Sequence, residues 1–342
     1  MLRQFLPLAF LASQAVAYDQ VLGFKAAPEY ETRSLDEIYK AALKEGDTVT
    51  LWHGGDEKNQ QDGLKKAFEE RFPGITLNVT VDLSKYHDGF LDQQLAAGKD
   101  AVYVDSVILQ TLHDYPRWAQ EGALLNYAPV GFEEIEHAFK DDTAAWYGVY
   151  VFFWSGAWNT KKLPGIKSPV EFEDWLRPEF KEKLVLTYPN DDDAVLWAFL
   201  YHNATTPLTL ISDDNSTSAA YFGASGSFQN ADPISFSVPT KGKYVSWPQT
   251  AAILKDAPHP EGAKLLHNFL LSPEFQQASG LWSVRRDIPA PEGFPSLWND
   301  TQTNPAEFAR FMADRGLVER LRFFFESRIG SAQGDSPLED DI

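Results

Sequence analysis

The stretch LWHGGDEKNQQ, residues 51–61, places a glycine pair between two segments with different hydrophobic periods. Before it, TVTLW (48–52) alternates β-branched and apolar residues, as a buried strand does. After it, apolar residues recur at helical spacing up to Phe72. A strand, a glycine turn and a helix in that order place backbone N–H groups where many α/β proteins hold a ligand. Because Gly54-Gly55 lacks phosphate-loop or dinucleotide spacing, a simple tight turn is an equal alternative.

The alternation of strands and helices continues on both sides of this stretch. Upstream, Ser34-Leu35-Asp36-Glu37 is a capping box that predicts a helix ending near Gly46. Such alternation predicts an α/β fold with a mostly parallel sheet flanked by helices. We predict helices at 57–72, 86–97, 169–184, 194–201, 260–271, 272–280 and 304–325, strands at 75–81, 101–106 and 184–189, and a loop at 211–226.

An aromatic, β-prone run extends from Thr143 to Leu163. Aromatic residues favour strands, so the run predicts either two successive strands or one long strand that crosses between domains. If the run crosses between domains, we expect a second strand near Tyr244 to lead the chain back to the first domain.

The first 17 residues, MLRQFLPLAFLASQAVA, combine Arg3, an apolar run and a small-x-small ending. This pattern is typical of a signal peptide, and we predict cleavage after Ala17. Removing Arg3 changes the net charge from −19 to −20, which argues against binding to nucleic acid or anionic lipid.

The rest of the sequence fits a secreted glycoprotein. Its four sequons are Asn78, Asn203, Asn215 and Asn299. There is no cysteine, so stability must come from the core rather than from disulfides. No later segment approaches the roughly 20 apolar residues of a membrane helix. We predict an extracellular, monomeric protein of two domains, without membrane insertion and without a cofactor.

Several strings resemble one family when taken in order: SLDEIYKAALKEGDTVTLWHG, WNTKKL, SPVEFEDWLRPEFKEKL and APHPEGAKLLHNFLLSPEFQ followed by WSVRRDIPAP. They are similar to extracellular solute-binding proteins of bacterial ABC importers, in the ferric-iron-type branch. The resemblance covers most of residues 34–290. With the secretion signals, it suggests a secreted eukaryotic, fungal version.

The resemblance implies a periplasmic-binding-protein-like type II fold, in which two α/β lobes close on a ligand cleft. It places residues 18–145 and 245–330 in lobe 1, residues 146–244 in lobe 2, and residues 331–342 in a disordered acidic tail. The ligand is a small polar solute, and a membrane permease partner is left open.

Two features depart from the family pattern. Iron-binding members use adjacent tyrosines in the second lobe, but SAAYFGAS (218–225) offers only Tyr221, which argues against ferric iron. Residues 200–211 are shorter than the family pattern, as in a trimmed lobe or an incomplete gene model.

The predicted ligand site consists of loop residues at strand ends in both lobes. From the first lobe it takes His53, Gly54, Gly55, Asp105 and Ser106. From the crossing strand and the second lobe it takes Tyr147, Asn159, Tyr188, Asn190, Asp191, Ser212 and Asp213.

Several of these assignments have structural alternatives. Asp191 and the two aspartates after it are favoured as helix caps, while one of them with Asp105 could contact a cationic ligand or a hard metal. Asp105 fits strand-end capping equally well. His53 is either a ligand contact or an ordinary buried or surface histidine.

Catalytic motifs are lacking. The sequence has no H-E-x-x-H motif, and GASGS (223–227) is not a nucleophile elbow. A carboxylate pair of the glycosidase type remains possible among 49 acidic residues. We predict a non-catalytic binding protein, with a secreted hydrolase and a surface-acting host- or wall-interaction protein as alternatives.

If Gly54 lets the backbone approach a solute, a valine there should weaken ligand binding more than folding, because glycine has no Cβ. Melting temperature and affinity of Gly54→Val would be measured together. Equal losses in both would contradict a role at the ligand.

Overall fold

The structure, a computed structural model, describes residues 27–186, 194, 196–197, 219–225, 232–331, 336 and 338–339. Its strands are β1 Glu29–Tyr30, β2 Thr48–Gly54, β3 Thr76–Asp82, β4 Ser106–Leu109, β5 Tyr127–Ala128, β6 Tyr147–Asn159, β7 Leu184–Leu186, β8 Ala220–Ser225, β9 Ile234–Ser237 and β10 Ser246–Ile253. Its α-helices are α1 Leu35–Glu45, α2 Asp62–Arg71, α3 Ser84–Ala97, α4 Asp114–Gln120, α5 Pro260–Leu270, α6 Pro273–Ala278, α7 Pro305–Ala313 and α8 Arg315–Ile329.

One mixed sheet connects most of the described strands, in the order β3-β2-β4-β10-β6-β8-β7, with β9 also paired to β6. Strand β2 runs parallel to both β3 and β4. Strand β10 is antiparallel to β4 and to β6. The carboxyl ends of β2, β3 and β4 therefore meet at one edge of the sheet, as in other α/β folds.

The aromatic run at 143–163 forms one continuous strand, so the single-strand alternative is correct. Strand β6 has 13 residues. Its first half, from Tyr147 to Phe153, pairs with β10. Its second half, from Phe153 to Asn159, pairs with β8 and β9. The strand thus crosses from one half of the sheet to the other.

Local capping signals in the sequence are confirmed. The Ser34 side chain accepts the Glu37 N–H, and the Glu37 carboxylate accepts the Ser34 N–H. Ser272 and Asn304 cap α6 and α7, each followed by proline at the first turn. Short side chains that accept backbone N–H groups fix these starts within a residue.

Two boundaries near the glycine pair were predicted wrongly. Helix α2 begins at Asp62 rather than at residue 57, because residues 56–61 form turns in which the Gln60 side chain accepts the Asp56 N–H. The strand predicted at 101–106 is displaced: β4 begins at Ser106 and continues through the apolar residues to Leu109. Asp105 therefore precedes a strand instead of ending one.

Three predictions further along the chain were also wrong. Residues 169–184 form 3-10 turns, Phe172–Leu176 and Pro178–Phe180, because Pro178 interrupts the helical pattern. The predicted loop at 211–226 contains β8. The single helix predicted at 304–325 is two helices, since Asp314 ends α7 and caps α8. The predicted helix at 194–201 lies mostly outside the described residues.

The largest hydrophobic cluster packs α1, α2, α5 and the first half of β6 against β2 and β3. A second cluster joins Trp154 and Trp158 to Phe308, Phe311 and Phe325. The predicted division grouped 245–330 with 18–145, whereas helices α7 and α8 pack on the second cluster. The signal-peptide residues and most of the predicted tail lie outside the described residues.

Gly156 in β6 supports the Trp175 ring directly, since a Cβ at this glycine would lie 2.1 Å from the ring. Because Trp175 is buried, we expect Gly156→Ala to lower the free energy of unfolding by about 1–3 kcal/mol. Gly89→Ala in α3, where a Cβ meets nothing within 4 Å, should instead raise it by about 0.5–1 kcal/mol. Urea denaturation measures both, and an equal effect of the two substitutions would contradict this packing.

Candidate functional site

A cavity of about 480 Å³ lies where the parallel strands β2, β3 and β4 end. Each strand leads directly into its wall. Gly54 and Gly55 follow from β2, Leu83 and Ser84 from β3, and Gln110 and Thr111 from β4. Strand carboxyl ends are the usual ligand position in α/β folds, and this geometry makes the cavity the candidate site.

The remaining wall is mainly apolar and comes from several other elements. Strands β6 and β10 contribute aromatic side chains, α2 contributes aliphatic ones, and α6 contributes Phe275 and Ala278. Three charged side chains also line the cavity: Asp56, Lys85 and Arg322. The apolar part of the wall is Leu64, Ala67, Leu83, Phe152, Trp247, Phe275, Ala278 and Leu281.

Thr111 provides a buried polar atom in the cavity wall. Its side chain is buried at 2% exposure, and Oγ1 has no hydrogen-bond partner among the described residues. A buried hydroxyl without a partner costs about 1–3 kcal/mol, so such groups are rare unless a ligand or water completes them. The position of Thr111 in the cavity wall makes it a candidate ligand contact.

Helix α3 begins at the cavity with its first turn uncapped. Its N-cap is Leu83, no side chain caps it, and its first turn has no acidic residue. The Ser84 hydroxyl instead accepts the Gln110 N–H at 3.0 Å. Lys85 adds a positive charge to the same turn. The partial positive charge of this helix end therefore faces the cavity, which favours an anionic group.

The glycine pair lines the cavity as predicted, but its amides are engaged. Gly54 belongs to β2, and the Gly55 N–H donates to Asp82 O at 3.0 Å. A Cβ at Gly54 would lie 2.1 Å from Ser84 Oγ. The glycines thus allow two strand ends to approach each other closely. The helix that was expected directly after them, α2, begins at Asp62, seven residues after Gly55.

His53 is placed one layer behind the cavity wall. It is fully buried, its Nδ1 donates to Gly54 O at 2.7 Å, and its Nε2 accepts the hydroxyl of Tyr150, which does line the cavity. Burial lowers the pKa of His53 to about 4. The neutral ring therefore positions Tyr150 instead of facing the cavity itself.

Asp105 does not line the cavity. Its carboxylate is fully buried and accepts the backbone N–H groups of Thr50 at 2.7 Å and His259 at 2.6 Å. The His259 ring lies 3.2 Å from the same carboxylate. These contacts hold the start of β4 against β2 and α5. Asp105 therefore has a capping role, one of the two alternatives considered for it from the sequence.

Ser106, Tyr147 and Asn159 also lie outside the cavity wall. Ser106 Oγ and the Tyr147 hydroxyl bond the two ring nitrogens of buried His267, at 2.7 Å and 2.6 Å. Asn159 accepts the N–H groups of the two residues that follow Thr160, closing the turn after β6. The predicted residues Tyr188, Asn190, Asp191, Ser212 and Asp213 are outside the described residues.

Sequence reasoning missed several lining residues for identifiable reasons. Placing β4 too early hid Gln110 and Thr111, the first polar residues after the apolar run at 107–109. Starting α3 at residue 86 hid Ser84 and Lys85. Arg322 comes from a helix more than 200 residues away in sequence, and no local pattern indicates it.

The described cavity wall contains one tyrosine, Tyr150, and its hydroxyl is bonded to His53. Tyr221, in β8, does not line the cavity, and its side chain is 41% exposed. Adjacent phenolate ligands for ferric iron are thus not found among these wall residues.

Comparisons with known proteins agree with this architecture. Residues 113–209 match the family described as "Bacterial extracellular solute-binding protein". No curated protein sequence matches the chain. Among the described residues, no helix combines the length and hydropathy needed to cross a bilayer.

Solved structures with a similar fold are periplasmic binding proteins. AfuA from Actinobacillus pleuropneumoniae, with exogenous fructose-6-phosphate bound, gives a TM-score of 0.60 at 16% identity over 84% of this chain and 100% of that chain. P5PA gives 0.59 at 19% identity over 82% and 99%. Iron-bound HitA from Pseudomonas aeruginosa gives 0.56 at 17% identity over 80% and 99%. These matches confirm the predicted fold class, a mixed α/β fold of the type II periplasmic binding proteins.

Buried neutral histidines predict a pH-dependent stability. Burial lowers the pKa of His53 to about 4 and that of His267 to about 3. The unfolded chain protonates both near pH 6.5, so it binds more protons than the folded protein below that pH. Stability is therefore lost as pH falls, by about 1.4 kcal/mol per pH unit for each histidine.

This slope would be measured by urea denaturation between pH 6.5 and 5, where few carboxylates titrate. Asp88 acts in the opposite sense, because burial and Asp114 raise its pKa to about 8. The informative quantity is therefore a difference between proteins: His267→Asn should reduce the pH slope by about 1 kcal/mol per unit averaged over this range, because the unfolded histidine is only half protonated at pH 6.5. An unchanged slope would contradict a neutral His267.

Proposed function

We propose that this protein is a secreted solute-binding protein that captures a small anionic metabolite in the cavity at the ends of β2, β3 and β4, without catalysis. The observation that carries the proposal is the Thr111 hydroxyl, which is buried in the cavity wall and has no hydrogen-bond partner in the described part of the chain. A ligand oxygen in the cavity would supply the missing hydrogen bond.

The charge distribution supports an anionic solute. The uncapped start of α3, Lys85 and Arg322 contribute positive charge to the cavity wall, and Asp56 is the acid among its described lining residues. Arg322 also pairs with Glu319 at 3.3 Å. The apolar wall fits the carbon skeleton of the solute. A phosphorylated or carboxylated metabolite combines these features, and the fructose-6-phosphate bound by AfuA is a solute of this class.

Contributions from both hydrophobic clusters support closure of two lobes on the solute. Leu64 belongs to the first cluster, whereas Trp247 and the helix carrying Arg322 belong to the second. Strands β6 and β10 connect the two halves, as the crossing strands of a two-lobe binding protein would. Movement about these strands would bring Arg322 toward Ser84 and Thr111.

Secretion and glycosylation belong to the same proposal. The N-terminal pattern indicates a signal peptide cleaved after Ala17, in a eukaryotic, fungal protein. Asn78 and Asn299 are exposed and could accept glycans, while Asn203 and Asn215 are outside the described residues. The protein would act as an extracellular monomer, and a permease partner is not required for capture.

The first experiment is a thermal-shift screen against sugar phosphates, organic acids, thiamine, polyamines and ferric chelates. A solute that binds only the folded state raises the melting temperature, by the equivalent of about 2.7 kcal/mol at a hundredfold excess over Kd. A hit confined to anions supports the proposal, and small-angle scattering should then show compaction. Product release from a glycan panel would indicate a hydrolase instead.

Thr111→Val tests the cavity directly. Valine has the same shape but no hydroxyl, so it should raise the melting temperature slightly, because a buried unpaired group is removed. The same change should weaken solute binding roughly 5- to 15-fold, which corresponds to about 1–1.5 kcal/mol. Isothermal titration calorimetry with the solute from the screen measures the affinity.

Thr303→Val is the matched control. Thr303 is also buried, but its hydroxyl bonds Ser246 Oγ at 2.7 Å, away from this cavity. It should lose stability and keep full affinity. If Thr111→Val loses stability without losing affinity, Thr111 is not a ligand contact and the proposed site is wrong.

A further inference from the structure

Three metal-binding side chains meet beside the cavity, and the solute-binding proposal does not use them. They are Asp88 in α3, His113 in the loop after β4, and Asp114 at the start of α4. One ligand atom of each lies within 4.8 Å of the other two. Ligand atoms around an ion with bonds of about 2.1 Å are roughly 3–4.2 Å apart, so small side-chain rotations would form a coordination site.

Asp114 provides an independent sign of a missing ligand. Its side chain is 4% exposed, and its Oδ1 accepts a hydrogen bond from Arg117 at 2.9 Å. Its Oδ2 has no hydrogen-bond partner among the described residues and lies 3.3 Å from His113 Nε2. A buried carboxylate oxygen normally accepts at least one hydrogen bond or binds a cation.

The neighbouring cations are shared with other acids. Arg117 also forms ion pairs with Asp92 and Glu121 in addition to Asp114. Arg315 from α8 contacts His113 Nε2 and pairs with Glu319 at 2.8 Å. The two guanidinium groups are therefore shared between this cluster and acids outside it.

We propose that Asp88, His113 and Asp114 form a binding site for a divalent first-row metal ion, with Mn²⁺ as the best match. Two carboxylates and one imidazole suit an ion that accepts both oxygen and nitrogen, and waters would complete its coordination. Because Arg315 contacts the same nitrogen of His113 that faces Asp114, the ion and Arg315 compete for this position.

The test is a titration of the chelator-treated full chain with MnCl₂, in which electron paramagnetic resonance reports the free ion. One equivalent should be bound. Asp88→Asn should weaken binding at least tenfold, since it replaces a charged ligand by a neutral one. Arg315→Gln should strengthen binding several-fold, since it removes the competing positive charge. If Mn²⁺ bound elsewhere on the protein, away from Arg315, this substitution would not strengthen binding.

Asp36→Asn is the control, because Asp36 is an exposed aspartate on α1 that pairs only with Arg71 in the described ion pairs. It should bind Mn²⁺ as the wild type does. Asp88→Asn keeps the size and polarity of the side chain and should fold; if its melting curve shows otherwise, His113→Gln replaces it. No depletion of free Mn²⁺ by the wild type, or equal affinity in wild type and ligand variants, overturns the proposal. Neither result depends on the solute screen.

Discussion

The 13-residue strand β6 is the constraint on which the rest of the structure depends. It forms hydrogen bonds with β10 along its first half and with β8 and β9 along its second half, so its backbone is satisfied on both sides of the crossing. Nearly all of its side chains are buried, and they contribute to both hydrophobic clusters. Separating the two halves of the molecule would break this ladder, so any relative movement of the halves would have to bend or twist these strands.

The position of the cavity follows from this arrangement. Strand β10 enters the sheet between β4 and β6 in the antiparallel direction, so the carboxyl ends of three parallel strands face side chains from the middle of β6 and β10. Tyr150 is held there by the neutral, buried His53. The sheet side of the cavity wall is therefore fixed by strand pairing and by the His53–Tyr150 hydrogen bond, while Arg322 reaches the cavity from a helix that packs on the second cluster.

Much of the fold could be predicted from the sequence because its signals are local. Capping at Ser34, Ser272 and Asn304 depends on neighbouring residues only, and strand periodicity located β2 and β3 nearly correctly. The position of β4 could not be predicted in the same way. Val102 and Val104 are buried as strand residues would be, yet pairing with β2 starts only at Ser106. Tertiary contacts decide that these two valines are buried without strand pairing. Here the contacts are the hydrogen bonds that the Asp105 carboxylate accepts from the Thr50 and His259 N–H groups.

The displacement of β4 along the sequence, from the predicted 101–106 to Ser106–Leu109, explains most of the difference between the predicted and the observed residues at this edge of the sheet. It moved the expected contacts from Gln110 and Thr111 to Asp105 and Ser106, which the structure uses to join β4 to β2 and α5. The glycine pair lies in the cavity wall, but Gly54 permits close approach of the Ser84 side chain, and the Gly55 N–H is bonded to Asp82 O. Local sequence patterns identified the edge of the sheet where the cavity lies. Which side chains line the cavity depends on the register of β4 against β2, and local patterns do not determine that register.

Buried polar atoms without partners concentrate at the same edge. Thr111 Oγ1, Asp114 Oδ2 and His87 Nε2 all lie on α3 or on the segment after β4, within the described residues. Each lowers the stability of the folded state, and natural sequences retain such groups mainly where binding completes them. The cavity and the proposed metal site share α3 and the β4–α4 connection. An ion that displaced Arg315 would act on α8, the helix that also carries Arg322 into the cavity. The cavity and the proposed metal site thus adjoin the same two helices, α3 and α8.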